Sequence, residues 1–257
     1  MPIDQRRPAE IFKLPPGVTS LEDGGYHFHF LLRECDRDDI ASLSWGSSKL
    51  TESKFGASSH AVKPQPTGIN ANGLRVSTHF YTSVIALCDE IDLGVRVGRS
   101  IPSLAAMRRA LRDALGIGTG TSSPPHPSSL RGHIVAVRKY DDFDRALVLT
   151  AHGYSCSRRY QIIIPIQPGG VGVEVEGHVV RRADEPWVSD VDGGTGEALL
   201  LVPFTHSVWH EDMIDDSVAP VQVDSYTMAR VEQEIIRFFR MPPSAPTDAV
   251  GPDVLHA

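Results

Sequence analysis

Short apolar runs recur along the chain in one order, in two series, and each series ends in an amphipathic segment. Short runs of β-branched and aromatic residues between turn residues are typical of buried strands. The sequence therefore predicts strands at 10–14, 26–32, 40–46 and 78–87, and a second series at 133–137, 145–150, 160–166 and 198–209. The first strand, the third strand and the helix recur at offsets of 123, 120 and 121 residues, from 10 to 133, from 40 to 160 and from 103 to 224. Such regular spacing predicts a tandem duplication.

Each series ends in a segment with apolar residues at helical spacing. The first helix is predicted from about Ser103, and Gly116 favours its termination. The second begins near Asp224, whose carboxylate suits an N-cap. The predicted buried stripes are Leu104, Met107, Leu111 and Leu115 in the first helix, and Met228, Val231, Ile235 and Phe238 in the second. Each series is thus predicted to form a small antiparallel sheet or barrel with a C-terminal helix, which makes the fold class β-rich α+β.

The predicted boundary between the two series is a stretch rich in Gly, Ser, Thr and Pro, which is typical of a linker. We place domains at 8–116 and 131–240, with a linker at 117–130 and a flexible, Pro-rich tail at 241–257. Two long irregular stretches, 48–73 and 168–196, lie within the domains, and the second contains a strand-like run at 171–180. Loops of this length in compact domains are often functional.

Composition narrows the class of protein. Hydrophobic residues make up 41% and charged residues 22% of the 257 residues, a balance typical of soluble globular proteins. No apolar stretch approaches the roughly 18–20 residues that a membrane span requires, and the first ten residues lack a signal-peptide pattern. Cys35, Cys88 and Cys156 are widely separated, which favours reduced thiols over a disulfide framework or a metal site. We expect a cytoplasmic protein.

Several short motifs resemble the MazF/PemK (Kid) toxin family. The second series contains Arg-Gly-His-Ile-Val (131–135), Arg-Ala-Leu-Val-Leu (145–149) and Ile-Pro-Ile (164–166), in the order and spacing of that family's opening strands. The first series is more divergent, with Trp-Gly-Ser-Ser-Lys (45–49) similar to the family's third element and 88–111 similar to its strand–turn–helix ending. The resemblance implies SH3-like barrels, each with a C-terminal helix. It also implies that a family homodimer is built here within one chain, as an intramolecular pseudo-dimer.

The resemblance also implies an activity. Members of the family are metal-independent endoribonucleases that cleave single-stranded RNA and are inhibited by a cognate antitoxin, so neither a metal nor a cofactor is expected. The ribose 2′-hydroxyl attacks the adjacent phosphorus. That reaction requires a base, an acid and a cation for the charge that develops on the phosphoryl oxygens.

The family's site residues are divided between the two series. Its Arg position corresponds to Arg145 in the second series and to His27 in the first, and its Thr/Ser position to Gln167 in the second and to Ser47 or Ser48 in the first. His27 could serve as acid or base near neutral pH. Three outcomes stay open: an altered His/Ser site in the first series, a composite site that uses Arg145, or loss of nuclease activity.

Further candidates have plain structural alternatives. Arg158, Arg159 and Lys49 could bind phosphate, although such cations are more often solvated surface residues. Trp45 could stack on an unpaired base, or it could belong to the core. The run 206–212 has two histidines near acidic residues, but it lacks a recognisable spacing of metal ligands.

The net charge weighs against nucleic-acid binding. It is −7, with a pI near 5.9, whereas nucleic-acid sites are usually basic. A local basic groove is still compatible with this total, because the shape of the field matters more than its sum. The alternative is a non-catalytic barrel that binds a protein or a nucleic acid, in the manner of the related CcdB proteins.

Overall fold

A computed structural model describes residues 8–19, 27–33, 40–48, 59–68, 71–117, 130–138, 143–150, 160–168, 198–209 and 214–242. The first half of these residues contains β1 (Glu10–Leu14), β2 (His27–Leu31), β3 (Ile40–Ser47), β4 (Ser59–Val62), β5 (Thr78–Asp89), β6 (Val95–Arg99) and the helix α1 (Ile101–Ala114). The second half contains β7 (His133–Ala136), β8 (Arg145–Val148), β9 (Tyr160–Pro168), β10 (Ala198–Leu200), β11 (His206–Trp209), β12 (Val221–Gln222) and the helix α2 (Ser225–Phe238).

The strands form two curled antiparallel sheets, one in each half. The order of the first sheet is β4-β5-β3-β2-β1-β6, and that of the second is β10-β9-β8-β7-β12, with β11 also paired to β9. The three central strands of each sheet follow one another along the chain, so each of them pairs with its neighbour in the sequence. The predicted β-rich α+β class, with two sheets and two helices, is confirmed.

Backbone hydrogen bonds outside the regular ladders repeat at equivalent positions of the two halves. The bond from Ala9 N to Leu31 O matches the bond from Gly132 N to Val148 O. The bond from Leu32 N to Ser42 O matches the bond from Leu149 N to Ile162 O. The bond from Ser100 N to Ala9 O matches the bond from Val223 N to Gly132 O. All six donor–acceptor distances lie between 2.8 and 3.0 Å. The two halves therefore share specific backbone hydrogen bonds as well as the order of their strands and helices.

Strand β5 and the equivalent segment from β10 to β11 carry an insertion of the same length. Ser44 of β3 pairs with Ile85 while Trp45 pairs with Tyr81, so residues 82–84 are extra. In the second half, Ile163 pairs with His206 and Ile166 pairs with Leu200. The five residues 201–205 therefore lie opposite the two residues 164–165, which again leaves three extra residues. An irregularity conserved in length and place is typical of a duplicated unit, because bulges redirect a strand at a fixed point.

Both helices are 14 residues long and end in the same way. The residue two positions past each helix has a positive φ, 64° at Gly116 and 49° at Arg240. The next amide donates back to a carbonyl five residues earlier, which is the Schellman arrangement. Asp224 caps α2 as predicted, since its Oδ1 accepts from Tyr226 N at 2.7 Å and from Thr227 N at 2.9 Å. Neither helix is long and apolar enough to cross a membrane, and the described residues contain no other candidate.

One apolar core joins the two halves. It contains the buried faces of both helices and one face of each sheet, with Phe80 and Met107 from the first half and Ile164, Val231 and Phe238 from the second. Polar contacts cross the same boundary. Arg33 lies over the Phe238 ring at 3.5 Å, Arg131 Nε donates to Leu115 O at 3.1 Å, and Ile85 N donates to Ser207 Oγ at 2.8 Å.

The structure corrects several boundaries. Strands β4, β6 and β12 were not predicted, and β4 lies within the stretch 48–73 that the sequence suggested was irregular. Helix α1 begins at Ile101, two residues before the predicted start. The proposed tail at 241–257 begins with a buried Met241, and Pro242 O accepts a hydrogen bond from Arg112. The strand-like run at 171–180 and most of the proposed linker lie outside the described residues.

The matching hydrogen bonds of the two halves yield a stability prediction at Ala9 and Gly132, which occupy equivalent turns with φ of 74° and 76°. Gly132→Ala should lower the free energy of unfolding by about 1 kcal/mol, because a side chain in the left-handed region is strained. Ala9→Gly relieves that strain but loses a buried methyl group worth about 0.8 kcal/mol, so its net effect should be close to zero. Urea denaturation of both variants checks this, and wild-type stability in Gly132→Ala contradicts it.

Candidate functional site

The first sheet places two histidines and a serine in one row. Phe28 of β2 pairs with Gly46 of β3, so the next residues outward, His27 and Ser47, lie side by side. Ser47 in turn pairs with His79 of β5. Directly opposite residues of antiparallel strands lie on the same face, with Cβ atoms about 5 Å apart. We call His27, Ser47 and His79 the histidine–serine row.

The row lies where a buried cluster meets the surface. Its three side chains are half-buried, whereas Trp45 and Tyr81 of the next row on the same face are buried. The ring centroids of His27 and Trp45 are 4.5 Å apart, and those of Trp45 and Tyr81 are 5.8 Å apart. Trp45 is only 8% exposed, so it supports the His27 ring and offers little surface for stacking on a base.

His29 lies beneath the row, between Phe12 and Trp45 in the sheet. Its Nδ1 lies 3.3 Å from His27 O and must donate there, because a carbonyl only accepts. Its Nε2 is buried and has no hydrogen-bond partner among the described residues. Burial lowers the pKa of His29 to about 4, which keeps the ring neutral at physiological pH.

The second half lacks an equivalent of the row. Ser47 corresponds to Gln167 as predicted, because Gln167 pairs with Leu199 as Ser47 pairs with His79. His79 therefore corresponds to Leu199, which is buried. By register, His27 corresponds to Asp144, an exposed residue. The two halves have diverged in chemistry at this end of the sheet while keeping the backbone.

The register corrects the predicted equivalence of His27 and Arg145. Arg145 pairs with Ala136 and Ile166, and the residue with the matching partners in the first half is Phe28. A shift of one residue changes the face of the sheet. Arg145 accordingly lies on the face that carries Ile166 and the shared core, opposite to the face of Gln167. Its Nη1 donates to Asp144 O at 3.2 Å and lies 3.8 Å from Asp144 Oδ2.

The predicted site residues not yet described are Ser48, Lys49, Arg158 and Arg159. Ser48 follows β3 and is exposed, next to the row. Lys49, Arg158 and Arg159 lie outside the described residues. Within the described ranges, no group of three or more His, Cys, Asp or Glu side chains is arranged to hold a metal ion. His206 is buried, and its Nδ1 donates to Phe204 O at 2.7 Å.

His79 is not among the residues that the sequence suggests for the site. The predicted strand at 78–87 contained it, and alternation along that strand puts His79 on the same face as Tyr81. What the sequence lacked was the pairing of β3 with β5, which brings positions 32 residues apart into one row.

The two buried histidines predict a dependence of stability on pH. Burial lowers the folded-state pKa of both His29 and His206 to about 4, against an ordinary value of 6.5. The neutral form is therefore favoured on folding, so this stability is fully present above pH 6.5 and is lost as the pH falls toward 4. The loss should reach about 3 kcal/mol for each residue.

Urea denaturation between pH 7 and pH 4 measures this loss. The variant His29→Gln should show a shallower fall in the free energy of unfolding than the wild type, because one titrating group has been removed. An unchanged slope contradicts the assignment.

Comparison of the sequence with protein-family models and with curated proteins finds no match. The geometry of the histidine–serine row and the motif resemblance therefore carry the functional argument.

Proposed function

We propose that the chain is a tandem MazF/PemK-like endoribonuclease that cleaves single-stranded RNA without a metal ion, and that its site lies in the first half. The observation that carries this proposal is the placement of His27 beside Ser47 at the partly exposed end of the first sheet. An SH3-like form of each barrel belongs to the same proposal. It is supported by the two curled sheets, each with a C-terminal helix.

The proposed reaction is attack of the ribose 2′-hydroxyl on the adjacent phosphorus. His27 transfers a proton, a role that imidazole fills well near neutral pH. The hydroxyl of Ser47 donates to a phosphoryl oxygen, and such donors stabilise charge that develops in the transition state. Trp45 holds the His27 ring in place. Lys49, which the sequence suggests as a phosphate-binding residue, lies outside the described residues.

Among the three arrangements left open by the sequence, an altered site in the first half is favoured. Gln167 and Leu199 replace the hydroxyl and one imidazole in the second half, and Arg145 lies on the other face of its sheet. The second half then acts as a built-in partner that completes the shared core. The motif resemblance alone supports a toxin–antitoxin context, with a cognate antitoxin as inhibitor.

The proposal predicts cleavage of single-stranded RNA by the purified protein in the presence of EDTA, with 2′,3′-cyclic phosphate ends on the products. His27→Ala should lower the rate about 100- to 10,000-fold, because it removes a proton-transfer group. Arg145→Ala should leave the rate unchanged. Gel analysis of end-labelled RNA gives both the rates and the product ends.

Two outcomes go against the proposal. Loss of cleavage in Arg145→Ala with activity retained in His27→Ala places the site in the second half. Absence of cleavage of any RNA tried, together with tight binding of RNA or of a protein, supports the non-catalytic binding module instead.

A further inference from the structure

The position of His79 suggests a second functional group at the proposed site. His79 is directly opposite Ser47 in the ladder of β3 and β5, and His27 lies on the other side of Ser47 on β2. All three side chains are half-buried and belong to the same face. A hydroxyl is thus flanked by two imidazoles, one from each neighbouring strand.

The spacing of the strands that carry the two imidazoles fits an in-line phosphoryl transfer. Adjacent strands lie about 4.8 Å apart, so the backbones of His27 and His79, two strands apart, are separated by about 10 Å. In the transition state, the attacking and leaving oxygens lie in line on either side of the phosphorus, and each oxygen is bound to one imidazole. With two hydrogen bonds of about 2.8 Å each, the distance from one imidazole nitrogen to the other is about 9 Å. A phosphodiester centred over Ser47 therefore reaches both rings.

The fold itself does not require an imidazole at this position. The equivalent residue in the second half is Leu199, which is 4% exposed. Since the same backbone accommodates leucine there, a structural role in strand pairing does not explain His79. Ser47 and His27 likewise have different residues at their equivalent positions, Gln167 and Asp144.

We infer that His79 is the second proton-transfer residue of the RNA-cleaving site, paired with His27 across Ser47. This inference rests on the proposed function. One imidazole removes the proton from the 2′-hydroxyl as the 2′-oxygen bonds to phosphorus. The other, protonated, gives its proton to the 5′-oxygen as the bond from phosphorus to that oxygen breaks. The products are a 2′,3′-cyclic phosphate and a free 5′-hydroxyl, and water returns both rings to their starting protonation states.

The test uses the full chain and a single-stranded oligoribonucleotide that the wild type cleaves. The key variant is His79→Leu, which copies the residue of the second half and is therefore compatible with the backbone. Its matched control is His60→Leu. His60 is also half-buried and lies on the neighbouring strand β4, but it pairs with Phe80 on the opposite face of the sheet.

His79→Leu should lower the rate about 100- to 10,000-fold, whereas His60→Leu should leave it unchanged. The wild-type pH–rate profile should be bell-shaped, and His79→Leu should lose one of its two limbs. A second substrate with sulfur in place of the leaving 5′-oxygen needs no acid, because a thiolate leaves unaided. That substrate should restore the rate in only one of His27→Ala and His79→Leu, and this variant is the one that lacks the acid.

Failure of the inference can be told apart from failure of the proposed function. If the wild type cleaves and His27→Ala does not, but His79→Leu keeps both its rate and both limbs of the profile, this inference alone is overturned. Rescue of neither variant by the sulfur substrate also overturns it. If the wild type cleaves no RNA, the proposed function and this inference fall together. A urea midpoint for His79→Leu equal to that of the wild type excludes unfolding as the cause of lost activity.

Discussion

The shared apolar core is the constraint on which the rest of the structure depends. Each sheet has one face in that core, against α1 and α2, and each half supplies residues that would otherwise be exposed to water. Burial of apolar area at about 25 cal/mol per Å² makes such a surface costly to open. The core therefore fixes the backbone of both halves. This explains why turns, helix ends and the three-residue insertion are preserved where the side chains have changed.

The opposite face of each sheet packs a smaller apolar cluster of its own, and the two halves differ in chemistry where that face reaches the surface. In the first half its outer end carries His27, Ser47 and His79, whereas the second half carries an acid, an amide and a leucine there. Two halves within one chain can differ in this way, because equivalent positions of a tandem chain need not carry the same residue, whereas those of a homodimer must. Under the proposed function, the first half carries the site and the second half completes the shared core.

The sequence predicted those parts of the fold that depend on local patterns. Central strands, both helical stripes and the Asp224 cap followed from periodicity and capping chemistry. Strands β6 and β12 were not predicted, because β6 has no fully buried side chain and β12 is only two residues long. His79 was not predicted as a site residue, because its position beside Ser47 depends on the long-range pairing of β3 with β5. The equivalence of Arg145 with His27 was wrong by one residue, since strand spacing does not reveal the length of a loop, and one residue reverses the face.

The most direct test of the proposed site is whether RNA binds at the histidine–serine row. Titration with a 2′-O-methyl oligonucleotide, which cannot be cleaved because its nucleophile is blocked, can be followed by NMR of the histidine side chains. The signals of His27 and His79 should shift together along one binding curve, while those of His60 and His133 stay in place. Shifts confined to His133, with His27 and His79 unmoved, would contradict a site in the first half.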